Sequence, residues 1–106
     1  MKTIRDILMY GALWCGDCNR SKRLFEEYHI PFTYKDIDAD TTADAELRTL
    51  IGEGNRSIPR ILFRSGPDTT HMNIDNTLIE PSNNDLLREL RIRMWIKPEI
   101  KKRLTI

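Results

Sequence analysis

Trp14-Cys15-Gly16-Asp17-Cys18 holds both cysteines of this 106-residue chain and joins a short apolar run to an amphipathic one. Residues three apart on a helix share one side at about 5–6 Å, which suits the Cα separation of about 4.4–6.8 Å that a disulfide requires. The two thiols can therefore open and close a small ring with little backbone movement. Ile7-Leu8-Met9-Tyr10 before the motif is short and apolar, Gly11-Ala12 reads as a loop, and a helical pattern starts at the motif itself. That puts Cys15 at a helix N-terminus, where unpaired N–H groups and the helix dipole favour a thiolate and lower a thiol pKa of about 8.5 towards about 3.5–7.5. Cys15 is the expected nucleophile. Cys18 lies one turn further on, on a face shared with Ser21, Phe25 and Tyr28, and is the expected resolving cysteine.

Outward from the motif, Ile4 to Tyr10 reads as a first, buried strand and Cys15 to Tyr28 as an amphipathic helix stopped by His29-Ile30-Pro31, since the residue before a proline avoids helical angles. Phe32 to Ile37 alternates as a strand would, and strand, helix, strand implies a parallel pair with a right-handed crossover. Asp40-Thr41-Thr42 offers N-caps for a shorter helix carrying Ala43, Leu47, Leu50 and Ile51, ended by Gly52-Glu53-Gly54. Arg60 to Phe63 is a strand and Ser65-Gly66-Pro67-Asp68 a turn. Thr69 to Thr77 is polar without a firm period and reads as an extended hairpin before a last strand, Thr77 to Glu80. Ser82-Asn83-Asn84 caps a final helix with the stripe Leu86, Leu87, Leu90 and Met94, while Trp95 is assigned to packing of that helix. The order is βαβαββα, an α/β fold with helices flanking a four-stranded mixed sheet.

At 106 residues, 40% apolar and 31% charged, the chain has the composition of a single soluble globular domain. No run approaches the roughly 20 apolar residues that span a bilayer, and Met1 to Asp6 lacks the apolar core of a signal peptide, so a cytoplasmic location is expected. In that reducing compartment a Cys-x-x-Cys pair is more often catalytic or metal-binding than a permanent staple. The net charge of +1 is unevenly spread: residues from Arg88 onward carry +5 and the rest −4. The division expected is a domain over residues 1–96 and a basic tail over 97–106, where Pro98 breaks any helix and Ile100, Leu104 and Ile106 supply apolar teeth.

Zinc sites also use the Cys-x-x-Cys spacing, but a closed site needs four ligands, and His29 and His71 have no motif spacing. No metal is expected. A second segment narrows the assignment. Gly54-Asn55-Arg56-Ser57-Ile58-Pro59-Arg60-Ile61-Leu62-Phe63, together with Trp-Cys-Gly-x-Cys after a strand, Ile30-Pro31-Phe32, Asp36-Ile37-Asp38 and Glu80-Pro81-Ser82, resembles the glutaredoxins of the thioredoxin superfamily. Over roughly Ile4 to Leu90 the chain is similar to bacterial glutaredoxin-like proteins, including the mycoredoxins. The resemblance implies a thioredoxin-like fold, a cis peptide bond before Pro59, and a backbone at Ile58 that pairs with the substrate chain. Trp14 would shield the Cys15 sulfur and offer partners a flat contact, as the equivalent residue does in thioredoxins; packing of the loop is the plainer reading.

Arg60, directly after Pro59, would project near the cysteines and favour a thiolate or a glutathione carboxylate, with a solvated edge-strand arginine as the alternative. Two departures touch the glutathione site. Ala12 stands where glutaredoxins commonly have lysine, and Pro81-Ser82-Asn83-Asn84-Asp85 replaces their Gly-Gly-x-Asp-Asp. The family's iron–sulfur members share a cluster between two subunits with glutathione and usually have one active-site cysteine, unlike this chain. The expected function is reduction of protein disulfides, or of mixed disulfides with low-molecular-weight thiols, by a monomer with no bound cofactor. Electrons would come from glutathione, mycothiol or another small thiol, or from a flavoprotein reductase. The rival is a redox-inactive module that holds nucleic acid or an acidic partner through its basic C-terminal region; helix-spaced arginines without stacking aromatics argue against nucleic acid. Asp17 is expected to tune the redox pair, because a carboxylate about 6–7 Å from the Cys15 sulfur repels a thiolate unless solvent screens it.

Overall fold

A computed structural model describes residues 3–52 and 56–97. Within them, β1 (Ile4–Gly11), α1 (Gly16–Glu27), β2 (Thr33–Asp36), α2 (Thr41–Ile51), β3 (Arg60–Gly66), β4 (Asn73–Ile79) and α3 (Asn83–Ile92) follow one another. The strands form one mixed sheet in the order β2-β1-β3-β4, β1 running parallel to β2 and antiparallel to β3. This is the α/β, βαβαββα arrangement that the periodicities imply. Glu53, Gly54, Asn55 and the tail from Pro98 on, including Ile100, Leu104 and Ile106, lie outside the described residues.

The central place of β1 follows from its composition. With apolar side chains at four successive positions it has no polar face to give to water, so both faces must be covered. Ile7 and Met9 pack with Leu24 and Phe25 of α1 and Leu86 and Leu90 of α3. Leu8 and Tyr10 face the other way, towards Ala43 and Leu47 of α2. Strand β3 repeats the division, with Ile61 and Phe63 on the α1/α3 side and Leu62 on the α2 side. The pairing is locked at its open end by Asp6 and Arg64, directly opposed in the β1/β3 register and joined through two hydrogen bonds of 2.8 and 2.6 Å.

Helix ends obey local chemistry. Asp40 caps α2 by accepting from the Thr42 and Ala43 N–H groups, and Ser82 caps α3 by accepting from Asp85 N–H at 3.1 Å, each worth about 1 kcal/mol. Helix α1 stops because His29 turns left-handed (φ 56°) and Ile30 N–H closes back on the Phe25 carbonyl at 2.8 Å. Tyr28 is consequently at the helix end and 40% exposed, not part of the buried Cys18, Ser21, Phe25 face. The same motif ends α3: Met94 adopts φ 64° and Trp95 N–H returns to the Leu90 carbonyl at 2.8 Å. Met94 is thus an exposed terminator and not the last member of the apolar stripe, and Trp95 folds back under the Arg5 guanidinium, 4.4 Å from its ring centre. Strand β4 begins at Asn73, earlier than the Thr77 expected, because β3 extends to Gly66 and pairs with it past a register shift at Phe63/Arg64. Gly66 has no room for a side chain: a Cβ there would lie 2.0 Å from the His71 carbonyl oxygen.

Candidate functional site

Strand β1 ends at buried Gly11, buried Ala12 follows, and Cys15 N–H turns the chain by donating to the Ala12 carbonyl at 3.1 Å. Cys15 then serves as the N-cap of α1, in extended conformation (φ −83°, ψ 110°), with its sulfur accepting from Cys18 N–H at 3.1 Å. A sulfur in that place receives both a backbone hydrogen bond and the positive end of the helix dipole, which stabilise negative charge on it. Cys15 and Cys18 are joined as a disulfide with Cα atoms 5.2 Å apart. Cys18 is completely buried and Cys15 6% exposed, so attack from solvent has one sulfur to choose.

The second wall comes from the segment ahead of β3. The Ile58–Pro59 bond is cis, Pro59 is buried, and the Ile58 carbonyl oxygen lies 3.9 Å from the Cys15 sulfur. The Pro59 carbonyl accepts from Glu80 N–H at 2.8 Å, which ties this segment to the end of β4, where Glu80 is held at φ 49°. Between the two walls lies an open cleft of about 570 Å³, lined by Trp14, Cys15, Asp17 and Ile58 together with Arg56 and Glu80.

Of the residues singled out from the sequence, Trp14, Cys15, Asp17 and Ile58 meet at this cleft, with Cys18 and Pro59 buried behind it. Arg60 does not. As the first residue of β3 it pairs with Tyr10 and Ile79, and its side chain falls on the α2 side of the sheet beside Leu50, Ile51 and Leu62. The cation at the cleft is Arg56, whose guanidinium bonds to Asp44 of α2. Arg48 and Arg56 together hold the Asp44 carboxyl below the usual carboxylate range, the Arg48 hydrogen bond being the larger cause. Trp14 is 72% exposed, with its indole N–H donating to the Asp38 carboxylate, so it stands as an open flank and leaves the burial of Cys15 to the core around Ile58. Asp17 is about half exposed and paired with Arg20 at 3.3 Å; Arg20 also donates to the Pro81 carbonyl at 2.9 Å.

Arg56, Glu80 and Asp38 are cleft or cleft-supporting residues that sequence reasoning passed over. The signal was adjacency: Arg56 precedes Ser57-Ile58-Pro59, Glu80 precedes Pro81, and Asp38 closes Asp36-Ile37-Asp38. Among the described residues no group of three or more His, Cys, Asp and Glu side chains is assembled as a metal site, and no helix is long and apolar enough to cross a membrane.

Known proteins resemble this chain in sequence and in fold. The glutaredoxin family matches residues 7–65. Relatives from two strains of Mycobacterium tuberculosis, both provisionally named glutaredoxins, are 30% identical over 69 residues, which is 65% of this chain and 81% of theirs. Among solved structures, the glutaredoxin of Archaeoglobus fulgidus superposes with a TM-score of 0.58 at 20% identity, over 82% of this chain and 86% of that one. A thioredoxin of Plasmodium falciparum does so with a TM-score of 0.58 at 16% identity, over 88% and 73%. At those identities the structural likeness speaks for the thioredoxin fold, and the sequence match speaks for the family. Running from the buried half of β1 through most of β3, over more than half of its length, that match means that the chain belongs to the glutaredoxin family of the thioredoxin superfamily.

Proposed function

We propose that this protein is a thiol–disulfide oxidoreductase that reduces protein disulfides, or mixed disulfides with low-molecular-weight thiols, by dithiol exchange. Family membership and the cysteine pair support thiol–disulfide chemistry in general. The observation that carries the finer reading is the asymmetry of the pair: Cys15 caps α1 and borders the cleft, while Cys18 is sealed behind it.

In the reduced protein the Cys15 thiolate attacks a substrate disulfide. A Cys15–substrate S–S bond forms, and the other substrate sulfur leaves with the electron pair and takes a proton from water. Cys18, as thiolate, then attacks the Cys15 sulfur, releases the second substrate thiolate and closes the internal disulfide. Two electrons have passed to the substrate. The exposed Trp14 ring and the Ile58 backbone form the docking surface for the substrate chain.

A small thiol such as glutathione or mycothiol, or a flavoprotein reductase, reopens the disulfide. Ala12 is fully buried where a lysine would reach a thiol carboxylate, so that task falls to Arg56. The protein works in the cytoplasm as a monomer without a bound metal or cofactor. A binding role for the basic C-terminal region is the weaker reading, since Arg88 pairs with Asp85 and Arg93 with Glu89 within α3 and its end.

The test is disulfide reduction with glutathione and its reductase, run in parallel with thioredoxin reductase. Cys15→Ser should abolish turnover, and Cys18→Ser should accumulate a mixed disulfide at Cys15, visible by mass. Activity retained in Cys15→Ser would overturn the reading.

A further inference from the structure

Behind the disulfide lies a feature that the exchange steps do not use. Gly11, at the end of β1, has its α1 side occupied by two neighbours: a Cβ there would lie 2.9 Å from the Cys18 sulfur and 3.1 Å from the Tyr34 hydroxyl. The sulfur and the hydroxyl therefore both pack over Gly11, in the place a side chain would take. Tyr34, on β2, pairs with Met9 and packs into the α1/α3 side of the core, under the Lys22 ammonium, which sits 4.1 Å from its ring centre. Its hydroxyl is buried and has no hydrogen-bond partner among the described residues. Leaving a hydroxyl buried and unpaired costs about 1–3 kcal/mol, so such a group calls for a reason.

The reason offered by the neighbourhood is the redox state of its neighbour. In the disulfide the Cys18 sulfur is bonded to Cys15 and is a poor acceptor. When the bond opens, that sulfur must withdraw to ordinary non-bonded distance from Cys15 and becomes a thiol or thiolate in a site with no water contact. Over Gly11 its neighbour is the Tyr34 hydroxyl.

We propose that the Tyr34 hydroxyl is a hydrogen-bond donor held in reserve for the Cys18 sulfur, unpaired in the disulfide and paired in the reduced protein. It acts as a positioning residue for the resolving thiol and stabilises the dithiol over the disulfide. Burial, then the Asp36 and Asp38 carboxylates, push the Tyr34 hydroxyl above the ordinary phenol range. It thus stays protonated at any physiological pH and donates a hydrogen bond without surrendering its proton. In the resolving step Cys18 gives up its proton, its sulfur bonds to Cys15 as the Cys15–substrate S–S bond breaks, the proton ends on the departing substrate thiolate, and Tyr34 returns to its unpaired state. The charged groups around it are Lys22 from α1 and Asp36 and Asp38 at and beyond the end of β2.

The consequence for turnover rests on the dithiol-exchange reading, but the redox equilibrium does not. The purified full chain, equilibrated against glutathione or dithiothreitol buffers, needs no substrate, so failure of the activity assay and failure of this proposal are separable. Tyr34→Phe should shift the equilibrium towards the disulfide about three- to tenfold, as loss of one hydrogen bond to sulfur implies, and slow resolution of a Cys15 mixed disulfide by a similar factor. In urea the oxidised variant should be at least as stable as the parent, and only the reduced variant should lose stability. Ser21, one turn beyond Cys18, whose hydroxyl is also buried without a partner among the described residues, is the control. An unchanged equilibrium in Tyr34→Phe, an equal stability change in both redox states, or a shift carried by Ser21→Ala instead would overturn the proposal. Should Tyr34→Phe fold poorly, the tyrosine Raman doublet of the unaltered protein decides: it should change on reduction, and a doublet indifferent to redox state would overturn the assignment.

Discussion

Two tyrosines sit almost side by side in the sheet, on opposite faces, and their hydroxyls have opposite fates. Tyr10 of β1 points to the α2 side and donates to Glu46 at 3.0 Å, and Glu46 also receives the Lys35 ammonium at 2.7 Å. Tyr34 of β2 points to the α1 side and ends beside Cys18 with no hydrogen-bond partner among the described residues. Lys35, the residue after Tyr34 and the register partner of Tyr10, reaches the α2 face because successive strand residues alternate. One face thus holds a polar group completed within the fold, and the other a polar group left incomplete next to the reacting sulfurs. The difference separates a hydroxyl that serves stability in every state from one whose partner exists only after reduction.

The strongest way to break this contrast is to put a side chain at Gly11, where Cys18 and Tyr34 meet. Gly11→Ala places a methyl 2.9 Å from the Cys18 sulfur and 3.0 Å from the Tyr34 ring, with nothing soft to yield. It should cost about 1–3 kcal/mol in the oxidised form, as other overpacked sites do, read from urea unfolding. An alanine tolerated without loss would show that Cys18 and Tyr34 yield readily over Gly11.

Tyr10→Phe sharpens the other side. It should destabilise the oxidised and reduced forms alike by about 1 kcal/mol, leaving the redox equilibrium where it was, since its partner is the same in both. A redox-dependent effect at Tyr10 would erase the distinction between the two tyrosines.

The same network predicts an acid limb. The Lys35 hydrogen bond, and then that of Tyr10, hold the Glu46 carboxyl below its usual range. A depressed folded pKa contributes stability that is present above the unfolded carboxylate value of about 4.3 and is lost as pH falls through the lower folded value. Lys35→Met should therefore flatten the fall in stability over that acid interval, with little change in the slope above about pH 6. Parallel urea curves for both proteins across the interval would count against the Lys35–Glu46 pair.

The smallest effect is expected at Asp17. Its carboxylate is half exposed and paired with Arg20, so its repulsion of a Cys15 thiolate is largely screened. Asp17→Asn should raise the thiolate population by less than about threefold, followed by thiolate ultraviolet absorbance against pH. A larger change would mean that Arg20 does not hold the carboxylate in solution.

What could be read from the chain alone was what local physics dictates. The four-residue apolar run marked β1 as central, Asp40 and Ser82 announced their helices as caps, and the cysteine spacing after a strand placed Cys15 at the start of α1. None of these needs a distant partner. Arg60 shows where that reasoning stops. Proximity to Pro59 in sequence argued for the cleft, but the face that a strand residue takes depends on which residues it pairs with, and pairing with Tyr10 and Ile79 turned Arg60 away. Arg56 and Glu80 reached the cleft through contacts across the chain, with Asp44 and with the Pro59 carbonyl. Met94 fitted the helical period yet ended the helix, because the left-handed turn and the return of Trp95 to the core decide where α3 stops. The Tyr34 hydroxyl is the extreme case: no pattern of residue types reveals a missing partner, because only the packing of β2 and α1 over Gly11 buries it away from an acceptor among the described residues.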